Sequence, residues 1–302
     1  MRRIEEVPLF PEHWGETRPT QLINVASVPQ RSPFRYPGGK TWFVPVFRRW
    51  ITSLRRRPSV LVEPFAGGGI ISLTAIFEDL VPQAVMVELD EEVAAVWEII
   101  LEGEAEWLAN QILSFKMTKD TVLELLNSSP QTKKEKAFQT IVKNRVLRGG
   151  ILAKGSSLMK RGENGKGISS RWYPKTIARR IIDISRVAHR IIFRNEDGLR
   201  VMSEFANRED VIYFIDPPYT ADPQKPGKRL YKYHQIDHEA LFTLCQSLRG
   251  DFLMTYNASD EVKLMASRYG FELCSIPMKT AHHKVKWELV IGRDLSWMQD
   301  CS

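Results

Sequence analysis

The four residues Asp216-Pro217-Pro218-Tyr219 carry the most specific chemistry in this 302-residue chain. They follow the apolar run Val211-Ile212-Tyr213-Phe214-Ile215, which reads as a buried strand. Two prolines cannot continue a sheet ladder or a helix, and they fix the backbone in an extended turn. Such a turn sets the Pro217 carbonyl close to the Asp216 carboxylate, two acceptors for one exocyclic amine. Tyr219 adds a face on which a planar base can stack, worth roughly 1–3 kcal/mol per base. The pattern fits a pocket for a nucleobase amine. A strand followed by a merely structural proline-rich turn would carry the same residues.

A second motif weighs against the structural reading. Val60-Leu61-Val62-Glu63-Pro64-Phe65-Ala66-Gly67-Gly68-Gly69 leads into an apolar stretch from Ile70 to Phe77 that reads as a helix. Strand, glycine turn and helix let a cofactor approach the backbone closely. The G-x-G-x-x-G fingerprint of dinucleotide folds is incomplete here. A further strand, Ala84 to Leu89, ends in Glu88 about twenty residues beyond the glycines, where a ribose-binding acid belongs in a Rossmann-like half. A glycine turn without a pyrophosphate signature, followed by such an acid, suits S-adenosylmethionine better than NAD.

Three motifs in this order, Phe34-Arg35-Tyr36-Pro37-Gly38-Gly39-Lys40, Glu63-Pro64-Phe65-Ala66-Gly67-Gly68-Gly69 and Asp216-Pro217-Pro218-Tyr219, resemble those of the Dam-type adenine-specific DNA methyltransferases. The resemblance runs over about residues 32–295. It implies that residues 36–40 and 65–69 hold the methionine end of S-adenosylmethionine. It implies that Glu88 takes the ribose hydroxyls, with Leu89 beside it, and that Asp197 faces the cofactor adenine. Glu63, Pro64 and Asp216 complete the expected cofactor set. The chain departs from the family pattern at Glu88, where Asp is usual, at Asp90, where Asn is frequent, and at Gly198, where an aromatic commonly follows the third acid.

These residues need elements to position them. Strands are expected at 60–64, 84–89, 190–195, 211–216, 251–256, 270–276 and 287–293, with helices at 70–79, 91–101, 237–249 and 259–269. Asp237 and Ser259 suit the N-cap role for the last two. The alternation predicts an α/β fold, a Rossmann-like doubly wound seven-stranded sheet with ligands at the carboxyl ends of its strands. Trp42, Phe43, Phe47 and Trp50 fit the buried face of a helix after the first motif. Residues 32–95 and 188–302 form the expected catalytic domain. Residues 96–187, with helical patterns near 121–126, 134–146 and 174–187, form an inserted, mostly helical target-recognition domain. Residues 1–31, with Pro8, Pro11, Pro19 and Pro29, read as an irregular extension.

Charge singles out the same insertion. The chain carries 43 Lys and Arg against 36 Asp and Glu, a net +7. Residues 141–200 hold fifteen basic and four acidic residues, a net +11, which leaves −4 for the rest. Such a local excess is the footprint of a surface that neutralises phosphates. Arg145, Arg148, Lys160, Arg161 and Arg171 are the candidate contacts to double-stranded DNA. The stretch from Thr220 to Gln235, with Lys228 and Arg229, suits a lid over an extruded base. Cys245, Cys274 and Cys301 have no paired spacing, so neither a disulfide framework nor a zinc site is indicated. No apolar run reaches the length of a membrane span and no signal core follows Met1, so the expected home is the cytoplasm. A cognate restriction endonuclease stands as a candidate partner.

The chemistry requires no nucleophile from the protein. The absence of a Pro-Cys motif argues against methylation at cytosine carbon 5, which needs a thiolate. Two other targets share the fold, the cytosine 4-amino group and adenine in RNA. In the family's terms, Asp216 in the first position of the tetrapeptide favours adenine, because amino-cytosine enzymes more often carry Ser there. A catalytically decayed DNA-binding relative is the rival from a different class. Against it, all three motifs keep their chemically necessary groups.

Overall fold

Every residue of the strand β1 (Val60–Glu63) is buried, which places it inside a sheet covered on both faces. In the computed structural model it pairs in parallel with β2 (Gln83–Val87) on one side and β4 (Val211–Ile215) on the other. Parallel pairing continues outward to β3 (Ile191–Arg194) and to β5 (Phe252–Asn257). The hairpin of β6 (Glu272–Lys279) and β7 (Val285–Gly292) closes that edge, with β7 antiparallel to β5. The structure describes residues 27–35, 38–153, 155–160, 162, 165–218, 236–279 and 285–301. Among the described residues the sheet has seven strands in the order β3-β2-β1-β4-β5-β7-β6. The strand order reverses between β1 and β4, and in open α/β sheets ligands bind at such a switch point.

Side chains alternate across the sheet. Leu61, Ile212, Phe214, Leu253 and Val290 share one core with α1 (Val44–Ser53) and α2 (Ile70–Phe77). Phe43 and Phe47 lie against Phe214 with ring centroids 5.5 and 6.0 Å away. Val62, Tyr213, Ile215, Met254 and Ile291 pack on the other face with α9 (His238–Ser247) and α10 (Asp260–Arg268). Asp237 and Ser259 cap those helices, accepting from the Ala240 and Val262 amides at 2.9 and 3.3 Å.

The helix α3 (Glu91–Leu101) is continuous across residue 96, where the inserted segment was expected to begin. It carries α4 (Ala105–Ser114), α5 (Lys119–Asn127), α6 (Lys133–Val146) and α7 (Pro174–Arg186). Ile112, Val122, Ile141 and Ile181 from these helices belong to the same buried cluster as the sheet residues Leu61 and Phe214. The inserted helices therefore extend the core of the sheet layer. Two helices exceed the sequence reading, α4 and the short α8 (Gly198–Phe205). Among the described residues no helix is long and apolar enough to cross a membrane.

Candidate active site

The glycine turn is built by the end of β1 and the start of α2. Gly67 and Gly69 have φ of 48° and 61°, in the left-handed region that favours glycine. The turn is tied on three sides. Ala66 donates to the Val87 carbonyl at 2.9 Å, the Trp97 indole donates to the Gly67 carbonyl at 2.9 Å, and the Gly67 amide donates to Glu88 Oε2 at 3.0 Å. The other oxygen of Glu88 accepts from the Asp90 amide at 2.8 Å, and burial pushes this carboxyl up to about 7. Asp90 itself caps α3 through the Glu92 amide. Glu63, buried at the end of β1, accepts from both the amide and the hydroxyl of Ser72. Burial lifts it to about 8, the Ser72 bonds opposing and the nearby Asp216 adding to the rise.

Asp216 stands one residue past β4, at the carboxyl edge of the sheet. Its Oδ1 accepts from the Thr255 hydroxyl at 2.9 Å and pairs with Lys40 Nζ at 2.9 Å. Lys40 is only 3% exposed. It also donates to the Gly38 carbonyl at 3.2 Å and lies 3.5 Å from Glu288 Oε2. Lys40, expected with the cofactor residues, thus joins the first motif to the tetrapeptide. Sequence reasoning did not find Ser72, Trp97, Thr255 or Glu288. The one signal in the chain was Glu288, an acid within the apolar run Leu289-Val290-Ile291 and Trp287.

A cavity of about 710 Å³ connects these groups. That is the size of a small-molecule site. Gly38, Gly39, Lys40, residues 63–69, Glu88, Leu89, Asp197, Asp216 and Pro218 line it, whereas Pro217 is buried. Asp197 spends one carboxylate oxygen on capping α8, accepting from the Arg200 amide at 2.9 Å. Leu89 is 40% exposed and offers an apolar surface beside Glu88. A glycine turn and acidic side chains that include Glu63, Glu88, Asp197 and Asp216 suit a ligand that carries positive charge, an amino-acid end and a nucleoside. S-adenosylmethionine is such a ligand, so the residues present fit it.

The expected DNA contacts divide. Arg148 and Lys160 are exposed and Arg171 is half-buried. Arg145 is a correction: it is 4% exposed and its guanidinium donates to the Pro33 carbonyl inside the protein. Burial, with the Arg180 and Arg35 charges nearby, pulls it down to about 9. Its neighbour Asn144 bonds both the amide and the carbonyl of Arg35, at 2.8 and 2.9 Å. This end of α6 therefore holds the segment leading into the first motif rather than facing a phosphate. Tyr36, Pro37, Arg161, Tyr219 and residues 220–235, with Lys228 and Arg229, lie outside the described residues.

The strand order and the cavity at the switch point are those of a Rossmann-like methyltransferase fold with a helical insertion. Residues 36–282 match the D12 class N6 adenine-specific DNA methyltransferase family, and the chain belongs to it. It is a DNA-binding enzyme that methylates the 6-amino group of adenine, with S-adenosylmethionine as cofactor. A comparison with curated proteins gives no match. Among solved structures, the chain is similar to the rRNA methyltransferase aviRa of Streptomyces viridochromogenes, at 14% identity and a TM-score of 0.38 over 86% of this chain and 87% of that one. It is also similar to precorrin-6y C5,15-methyltransferase of Geobacter metallireducens, at 9% identity and a TM-score of 0.35 over 82% of this chain and 86% of that one. Both likenesses are too loose to bear on the site.

Proposed function

We propose that methyl transfer to adenine is carried by Asp216, with the Pro217 carbonyl as second acceptor and Tyr219 as the stacking face for the extruded base. The observation that supports this most directly is the placement of Asp216. It lies on the cavity wall, held by Lys40 and Thr255, with Lys40 also bonded to the turn at Gly38. S-adenosylmethionine supplies an electrophilic methyl carbon on a sulfonium whose sulfur keeps the bonding pair when the methyl leaves. Asp216 and the Pro217 carbonyl accept the two amine hydrogens, which aims the nitrogen lone pair away from them. Such fixed acceptors act without reorganising as charge develops on the nitrogen. Asp216 then holds the proton that the alkylated nitrogen sheds. Extruding the base costs a few kcal/mol, and stacking on Tyr219 offsets part of it. Glu63 and Glu88 sit where a cationic cofactor would draw them into their charged forms.

The inserted helices, with the basic surface around Arg148, Lys160 and Arg171, are proposed to read double-stranded DNA. The proposed setting is the cytoplasm, in keeping with the buried free thiols of Cys245 and Cys274. A companion endonuclease would share the recognition sequence, so resistance of methylated DNA to cleavage is a direct assay. The decisive experiment is single-turnover methylation by Asp216→Asn and Asp216→Ala, with the product nucleoside identified. The rate is expected to fall by several orders of magnitude with DNA affinity largely kept, because the lost bond belongs to the transition state. Near-normal turnover by Asp216→Ala would sink this assignment.

A further inference from the structure

Glu288 is a buried acid that the mechanism above leaves unused. It lies in the middle of β7, 7% exposed, directly across from Asn257 of β5 in the strand register. Thr255, two residues before Asn257 and therefore on the same face of the sheet, donates to Asp216. The β5–β7 pair thus presents Thr255 to Asp216 and Glu288 to the buried ammonium of Lys40, which itself pairs with Asp216.

An ammonium has three donors. Among the described residues, Asp216, the Gly38 carbonyl and Glu288 stand around Lys40 at 2.9, 3.2 and 3.5 Å. Two acidic side chains accordingly share one ammonium that is itself buried, where such interactions are stronger than in open water. The sharing has a chemical consequence. A charge-assisted bond outcompetes one from a neutral amine, so an ammonium committed wholly to Asp216 would weaken the hold of that carboxylate on the adenine amine. A second acid behind Lys40 draws part of the charge away and fixes where the ammonium sits.

We propose that Glu288 is a positioning residue for methyl transfer: by sharing Lys40 with Asp216, it keeps Asp216 a strong acceptor for the target amine. The proposal rests on the reading of Asp216 given above. Among the described residues, the charged and titratable groups facing Asp216 include Lys40, Glu63, Glu288 and Tyr256, and those facing Glu288 include Lys40, Asp216 and Lys286. Lys40 and Asp216 line the cavity and Glu288 does not, so its influence on the reaction would pass through Lys40.

The test compares Glu288→Gln, Glu288→Asp and wild type in single-turnover methylation across pH, alongside cofactor affinity and melting temperature. Glu288→Gln keeps the shape and loses the charge. Its rate is expected to fall about ten- to hundredfold, the range for a lost interaction with a charged group. Cofactor and DNA affinities should change no more than about twofold. Glu288→Asp keeps the charge and should stay within about threefold of wild type. An unchanged rate in a folded Glu288→Gln enzyme would overturn the proposal. So would an equal loss in both variants, or a Glu288→Gln chain that no longer folds, since either would make Glu288 part of the scaffold alone. If Asp216→Ala retains turnover, the reading of Asp216 falls first. If Asp216→Ala is inactive while Glu288→Gln matches wild type, only this inference falls.

Discussion

Glu63 and Glu88 hold their protons far above the ordinary carboxyl value of 4.5, at about 8 and about 7, because burial penalises their charged forms. Two consequences follow at the level of single residues. A carboxyl raised in the fold stays protonated after the unfolded chain has released its proton. Its contribution to stability is therefore present below 4.5 and lost as pH rises through about 7 and 8. The cofactor-free enzyme is expected to melt at a lower temperature at about pH 8 than at about pH 6.5. Glu63→Gln should flatten that dependence. The cofactor works in the opposite sense, because a cationic ligand favours the charged acids. Affinity for S-adenosylmethionine measured by calorimetry should rise over the same interval, with protons released on binding. An affinity that falls with pH would remove both acids from the cofactor wall. Glu88 was legible because its spacing from the glycines is local. Thr255 and Glu288 were not, since Thr255 meets Asp216 across 39 positions and Glu288 meets Lys40 across more than two hundred.

At the scale of elements, the parallel strands read easily because each is a short apolar run bounded by a turn, and the caps at Asp237 and Ser259 marked two helix starts. The helix α8 was hidden by its own cap: Asp197 drew notice as a ligand-facing acid, yet it also opens that helix. The helix α4 buries Ala105, Leu108, Ala109 and Ile112, a proper helical spacing in which two alanines dilute the apolar signal. How closely these elements approach one another was invisible in the sequence. A Cβ on Gly198 would come within 2.4 Å of the Pro64 carbonyl, so α8 starts in backbone contact with the end of β1. Gly198→Ala should push the two apart, at roughly 1–3 kcal/mol for overpacking, and should weaken cofactor binding because both flank the cavity. Gly270→Ala makes the comparison. Nothing lies near its added methyl, only its φ of 72° is unfavourable, and its cofactor affinity should match wild type. Equal affinities in the two variants would detach α8 from the site.

For the whole molecule, the inserted helices share one core with the sheet, so the surface proposed to meet DNA is rigidly coupled to the cavity. Asn144 and Arg145 form part of that coupling through Arg35 and Pro33. Charge counting assigned Arg145 to the basic face proposed to meet DNA, but its side chain is buried. A count along the sequence cannot separate an arginine that points outward from one that holds its own backbone. The distinction is measurable. Each phosphate contact contributes about 0.9 to the slope of log affinity against log salt on duplex DNA. Replacing Arg148, Lys160 and Arg171 together by Gln should lower that slope by up to about 2.7, with the melting temperature nearly unchanged. Arg145→Gln should do the reverse, keeping the slope and lowering the melting temperature, since it strips a buried carbonyl of its donor. Retention of the full slope in the triple variant would move the phosphate-binding surface elsewhere, with Arg55, Arg56 and Arg57 or the basic residues of the 220–235 loop as the next places to neutralise.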